Sequence, residues 1–244
     1  MRPSFWIKTA SYFADIQLET VESVYSGPLE VICRKGRYAL CTSNVVYSYD
    51  DLYVNFSDSF ERLDLEAYQL QNVLVLGLGL GSIPWLLEKK FHKIYNYTFV
   101  EIDQKIVNLA EHYTLSELSA PYTVVCQDAL KYTESCEQSF DMIVVDLFID
   151  NTVPCAFESI AFLQKLKRLL RKDGLLLYNR LADTPELLEK TTNFYEQDFK
   201  KIFPTAVALE LGTNRMLINN YQPLDEDQLK EKQALNNKNN SLEL

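Results

Sequence analysis

Three of the chain's seven glycines fall close together, Gly77, Gly79 and Gly81, directly after the apolar run Val73-Leu74-Val75-Leu76. Glycine there lets the backbone take positive φ and approach a bound group closely, and a helix starting just beyond offers free N–H groups. The spacing is Gly-x-Gly-x-Gly with Ser82 next, so the third glycine of a dinucleotide fingerprint is missing, and no Gly-Lys-Ser/Thr makes a Walker phosphate loop. Glu101 ends the next apolar run, where a carboxylate can take both hydroxyls of a ribose. Asp128, in Gln127-Asp128-Ala129, follows a third run and can accept from an adenine amino group. Asp146 closes a fourth, residues 140–145. Alone, each acid reads as a solvated loop carboxylate or a helix cap. In this order, on consecutive strand ends, they read as a nucleoside pocket.

Apolar strands alternating with helices must position these residues. Residues 73–76, 97–101, 122–125, 140–145 and 175–178 read as strands, with helices over 83–90, 104–113 and 157–171 between them. Strands apolar throughout imply a mostly parallel sheet covered by helices on both faces. Residues 206–210 and 216–219 flank Gly212-Thr213-Asn214 and predict an antiparallel hairpin at the sheet edge. Upstream, residues 29–33 and 37–41 about Lys35-Gly36 predict another hairpin. The expected organisation is a small β-rich unit over 1–65, an α/β domain over 66–222, and a polar tail, 223–244, that frays.

Composition narrows the partners. Thirty-four acidic against 24 basic residues give a net charge of −10, which makes the chain a poor general binder of nucleic acid or anionic membrane. No apolar run is long enough to span a bilayer. Five cysteines without a Cys-x-x-Cys pair fit a reducing cytoplasm, not a disulfide or cysteine-zinc framework. With only His92, read as lying just past a helix end, and His112, read on a helix surface, histidine chemistry has little material and no metal is expected. The basic cluster Lys165, Lys167, Arg168, Arg171 and Lys172 reads as the solvated face of an amphipathic helix. Asn179-Arg180 could meet an acidic or polar acceptor group, though a surface arginine at a sheet edge is the plainer account.

The chain resembles the class I S-adenosylmethionine-dependent transferases, and within them the spermidine synthase-like branch. The likeness runs over about residues 25–220 and is most specific at 73–81, 100–103 and 140–146. Val100-Glu101-Ile102-Asp103 resembles that family's ribose-binding strand, Asp128-Ala129 its adenine contact, and Phe140 to Asp146 its strand leading to a catalytic aspartate. Tyr47-Ser48-Tyr49-Asp50-Asp51-Leu52 looks like its gate segment. The resemblance implies a Rossmann-like class I methyltransferase fold with a β-rich N-terminal extension. It assigns cofactor binding to Gly77, Gly79, Gly81, Glu101, Asp128 and Ala129, and catalysis to Asp146, Asp150 and Tyr49. The cofactor is S-adenosylmethionine or its decarboxylated form, the partner a small-molecule acceptor, and a homodimer through the N-terminal unit comes into consideration.

Two departures bear on the reaction. The synthases carry Gly-Gly-Gly-Asp-Gly-Gly, whose aspartate helps hold an amine; here Leu80 takes its place. A leucine cannot bind an ammonium, and its presence removes an acid that would repel the carboxylate of intact S-adenosylmethionine. The Asp-x-x-Asp-Pro segment has become Asp146-Leu147-Phe148-Ile149-Asp150, with Pro154 later. Methyl transfer is the reading these favour. The alternatives are aminopropyl transfer to a polyamine and a nucleoside-binding protein without turnover.

Overall fold

The computed structural model describes residues 3–42, 46–148 and 153–225. After a short helix α1 (Phe5–Ala10), a four-stranded antiparallel sheet runs in order β1 (Ile16–Ser23), β2 (Gly27–Arg34), β3 (Arg37–Cys41), β4 (Val46–Ser48). The hairpin expected about Lys35-Gly36 joins β2 to β3, both residues taking positive φ. Helix α2 (Val54–Arg62) then leads toward the main sheet. Neither α1, β1 nor α2 stands out in the sequence; Phe56 and Phe60 of α2, four apart, are fully buried.

The main sheet has the order β10-β11-β9-β8-β5-β6-β7. Its strands are β5 (Asn72–Leu76), β6 (Asn96–Glu101), β7 (Tyr122–Cys126), β8 (Phe140–Val145), β9 (Leu170–Leu181), β10 (Val207–Leu211) and β11 (Asn214–Ile218). The five strands β5 to β9 pair in parallel, and the β10–β11 hairpin adds antiparallel to β9. Residues 73–76 and 142–145 are almost wholly inaccessible, as strands covered on both faces must be. Strand β9 begins five residues earlier than the apolar run suggests, with Asp173 at φ 63 within it.

Helices α3 (Ser82–Trp85, extended by a π turn to Lys90) and α4 (Gln104–Tyr113) pack with α2 on one face. Helices α5 (Ala129–Ser135), α6 (Ile160–Leu169) and α7 (Pro185–Phe194) cover the other. This is the Rossmann-like α/β architecture anticipated above. Among the described residues no helix is long and apolar enough to cross a membrane.

Strand alternation sorts the polar residues at the strand ends. Gly77, Glu101, Asp146, Asn179 and Asn214 continue the parity of Val75, Phe99, Val144, Leu177 and Met216. Those five apolar residues share one core with Phe56 and Phe60. The four polar side chains and the glycine turn are therefore delivered to the same face, at the same edge of the sheet.

Candidate active site

From β5 the chain works outward to β6 and β7, then returns to β8 on the other side of β5. That reversal opens a crevice at the carboxyl ends of β5 and β8, the place where open α/β sheets bind ligands. A cavity of about 230 Å³ occupies it. Gly77 forms its floor at φ 92, with its N–H donating to the Val100 carbonyl at 2.9 Å. A Cβ on Gly77 would run into the backbone carbonyl of Asp146. Gly79, at φ 52, lies where a Cβ would come within 3.0 Å of Ser48 Cβ, because β4 crosses there. The glycines thus let two neighbouring segments close on the crevice.

At one end of the cavity stand the nucleoside candidates. Glu101 is 9% exposed; its Oε2 accepts from the Leu78 N–H at 3.0 Å and its Oε1 from the Asp103 N–H at 3.1 Å. Burial pushes its carboxyl up, and those N–H donors pull it back. The two bonds fix the plane of the carboxylate and tie it to the glycine turn. Asp128 caps α5, its Oδ1 accepting from the Leu130 N–H at 2.7 Å and the Lys131 N–H at 3.2 Å. Val100, Ile102, Ile106, Ala129 and Leu130 supply apolar walls between these acids. An apolar slot with an oriented carboxylate fits a base and a ribose diol. Asp103 is locked on the side of the N-terminal sheet: Ser23 Oγ donates to its Oδ2, and the following turn brings Tyr25 and Ser26 to the cavity rim.

The other end centres on Asp146. Tyr53 Oη donates to its Oδ2 at 2.9 Å and Asn179 Nδ2 to its Oδ1 at 2.9 Å. Asn179 Oδ1 in turn accepts from Asn214 Nδ2 at 3.0 Å. Asp146 is open to the cavity yet ringed by protein, and burial raises its carboxyl to about 6 despite the two donors. Burial beside that carboxylate holds the Tyr53 phenol well above its ordinary range. Leu147, Phe148, Pro154 and Phe157 complete this end. Among the described residues the cavity is lined by four acids, Glu101, Asp103, Asp128 and Asp146, and by no lysine, arginine or histidine.

The crevice brings together Gly77, Gly79, Glu101, Asp128, Ala129 and Asp146. Other expected residues lie elsewhere. Gly81, at φ 83, serves the turn into α3: its N–H donates to the Leu78 carbonyl, and a Cβ would press on Leu115. Tyr49 is held beside Arg34, donating to its backbone carbonyl at 3.3 Å with the guanidinium over the ring, and does not line the cavity. Its place is taken by Tyr53, because Asp50 turns the chain at φ 34 and bonds back to the Tyr38 N–H. Asp150 lies outside the described residues. Leu80 is fully buried with Leu29, Leu40, Ile106 and Leu109 where the N-terminal sheet packs on α4, so its side chain does not line the cavity. Arg180 is not a surface residue: it is 2% exposed, paired with Glu158 and stacked over Phe194 at 4.7 Å. Tyr53, Asn179 and Asn214 are the additions, and the parity of β9 against β8 is the signal that places Asn179 beside Asp146.

Comparison with known proteins gives a consistent result. A model of the spermine/spermidine synthase domain matches residues 60–221. The polyamine aminopropyltransferase of Vibrio vulnificus is 28% identical over 167 residues, which is 67% of this chain and 55% of that protein. The N-terminal histidine N-methyltransferase of Emericella nidulans is 30% identical over 152 residues, 58% of this chain and 26% of that protein. The chain thus spans about half, or less, of the length of these curated relatives. Among solved structures, a probable spermidine synthase from Corynebacterium glutamicum superposes with TM-score 0.67 at 18% identity, covering 82% of this chain and 78% of that one. Human methyltransferase-like protein 13, in complex with SAH, gives 0.58 at 24% identity, covering 73% and 88%. At these identities the structural likeness speaks for the fold.

Proposed function

Because the chain belongs to the spermine/spermidine synthase family, we propose that it is an S-adenosylmethionine-dependent transferase that methylates an amine, with Asp146 as the proton acceptor. Residues 66–222 make up the donor-binding domain in this reading, and residues 1–65 cover it and contribute Tyr53. The observation that carries it is the acceptor end, where one carboxylate stands among apolar and aromatic walls. A carboxylate so placed suits an ammonium whose carbon substituents the apolar walls would cover.

Glu101 would take the ribose hydroxyls, Asp128 the adenine amino group, and Gly77 and Gly79 would let the backbone close on the tail. The bound donor supplies a carbon activated by its neighbouring sulfonium. Asp146 takes the ammonium proton, the freed nitrogen lone pair forms the new C–N bond, and the C–S electron pair leaves with sulfur as a neutral thioether. With its carboxyl near 6, Asp146 is mostly ionised at pH 7 and so stands ready as a base. Tyr53 steadies the oxygen that does this work.

One observation favours aminopropyl transfer instead. Among the described residues the charged groups lining the cavity are all acids and offer no side-chain cation to the carboxylate of intact S-adenosylmethionine, whereas the decarboxylated donor has no such carboxylate. Calorimetric titration with each donor decides between them. Preferential binding of the intact form, followed by methylated product from a panel of mono- and diamines, is the expected result. Preference for the decarboxylated form makes the protein an aminopropyltransferase, and failure of the folded protein to bind either removes the donor assignment.

A further inference from the structure

At the carboxyl edge of the sheet, three neighbouring strands each place one polar side chain in a row: Asp146 after β8, Asn179 on β9 and Asn214 on β11. Asn179 and Asn214 are 1% and 5% exposed. Their bonds run in one direction. Thr213 Oγ1 donates to Asn214 Oδ1 at 2.9 Å, Asn214 Nδ2 to Asn179 Oδ1 at 3.0 Å, and Asn179 Nδ2 to Asp146 Oδ1 at 2.9 Å. Every amide accepts from behind and donates ahead, so each dipole points its positive end at the carboxylate. A carboxylate can only accept. Its charge therefore selects this one orientation of both amides, and the amides in return favour the charge over its protonated form.

We propose that Asn179 and Asn214 are positioning residues that keep Asp146 ionised and its second oxygen turned to the acceptor, so that the antiparallel edge hairpin acts on the reaction through a two-amide relay. This rests on the reading of Asp146 as the proton acceptor. Tyr53 is the titratable group that touches Asp146; Glu101, Asp103 and Asp128 stand at the ends of β6 and β7, across Gly77 from it. Asn179 is thus the amide contact and Asn214 acts only through it.

The test is the titration midpoint of the Asp146 carboxyl, followed by carbon-detected NMR in the donor-free protein, in wild type, Asn179→Leu and Asn214→Leu, with Asn179→Ser as a second, smaller replacement. The expected order is an upward shift of a full pH unit or more in the Asn179 variants and a smaller upward shift in Asn214→Leu. The acidic limb of kcat/KM should move by the same amount, tenfold for each unit. Donor affinity, measured by calorimetry, is the check that each variant is folded. A merely structural role would lower stability and leave the midpoint where it is. An unshifted midpoint in an Asn179 variant that still binds donor overturns the relay. A shifted midpoint in a protein whose kcat/KM shows no limb at that pH keeps the relay and removes the proton-acceptor role, so the two failures are distinct.

Discussion

At the scale of single residues, two carboxylates in one cavity face opposite tasks. Glu101 is braced by the N–H groups of Leu78 and Asp103, and only its outward lone pairs remain for a ligand. On the proposed reading, Glu101→Gln keeps the shape but loses a charge-assisted bond to the ribose diol, and calorimetry should show donor affinity weakened by about 1–3 kcal/mol. Asp146 offers a different handle. Its carboxyl titrates near 6 when folded, above the ordinary unfolded value, so the folded chain binds this proton more tightly than the unfolded one. Its contribution to stability is thus fully present below the unfolded value and is lost as pH rises through about 6. Asp146→Asn should therefore gain on wild type by about 2–3 kcal/mol between pH 4 and pH 8, read from denaturant midpoints. Equal pH dependence in the two proteins would contradict the burial described for this carboxyl. Glu101, Asp128 and Asp146 are legible in the sequence because each ends an apolar run. Tyr53 is not, since four tyrosines fall between residues 38 and 53 and nothing in their spacing shows that Tyr47 and Tyr53 reach the cavity while Tyr49 does not.

Among the elements, the parallel strands and the edge hairpin follow from unbroken apolar runs and a Gly-Thr-Asn turn. Helices α2, α5 and α7 are harder to see, because their buried residues are few and spaced among polar ones. Gly77 shows what an element end demands that composition cannot express. Its φ of 92 and the Asp146 carbonyl beneath it are separate obstacles to any side chain. Gly212 has a positive φ of 68 as well, but open space where a Cβ would stand. Gly212→Ala should cost about 1 kcal/mol through backbone strain alone. Gly77→Ala should cost about 3 kcal/mol or more, since overpacking adds to the strain, and should abolish donor binding. Similar losses in the two variants, measured by urea denaturation, would mean that the strand β8 carbonyl yields easily.

For the whole molecule, the excess of acids reaches into the cavity itself, where four carboxylates meet no side-chain cation among the described residues. A cationic sulfonium is attracted there and a neutral thioether is not. Raising salt from 50 to 500 mM should therefore weaken S-adenosylmethionine by roughly two- to fivefold and leave S-adenosylhomocysteine nearly unchanged. Parallel loss of both would place the salt-sensitive attraction in the charged amino-acid tail they share. The Tyr53–Asp146 bond closes a loop of 93 residues, and Asn214 joins the network from far beyond it. Loops of that length form late in folding, after the local β-α units have paid their own entropy. On the ribosome, a chain synthesised only through β8 already contains the glycine turn and both acids proposed to hold the nucleoside. Asn179 and Asn214, which with Tyr53 hold the proposed proton acceptor, are still unsynthesised, so on this reading the residues assigned to the donor come earlier in the life of the polypeptide than the amides assigned to the chemistry.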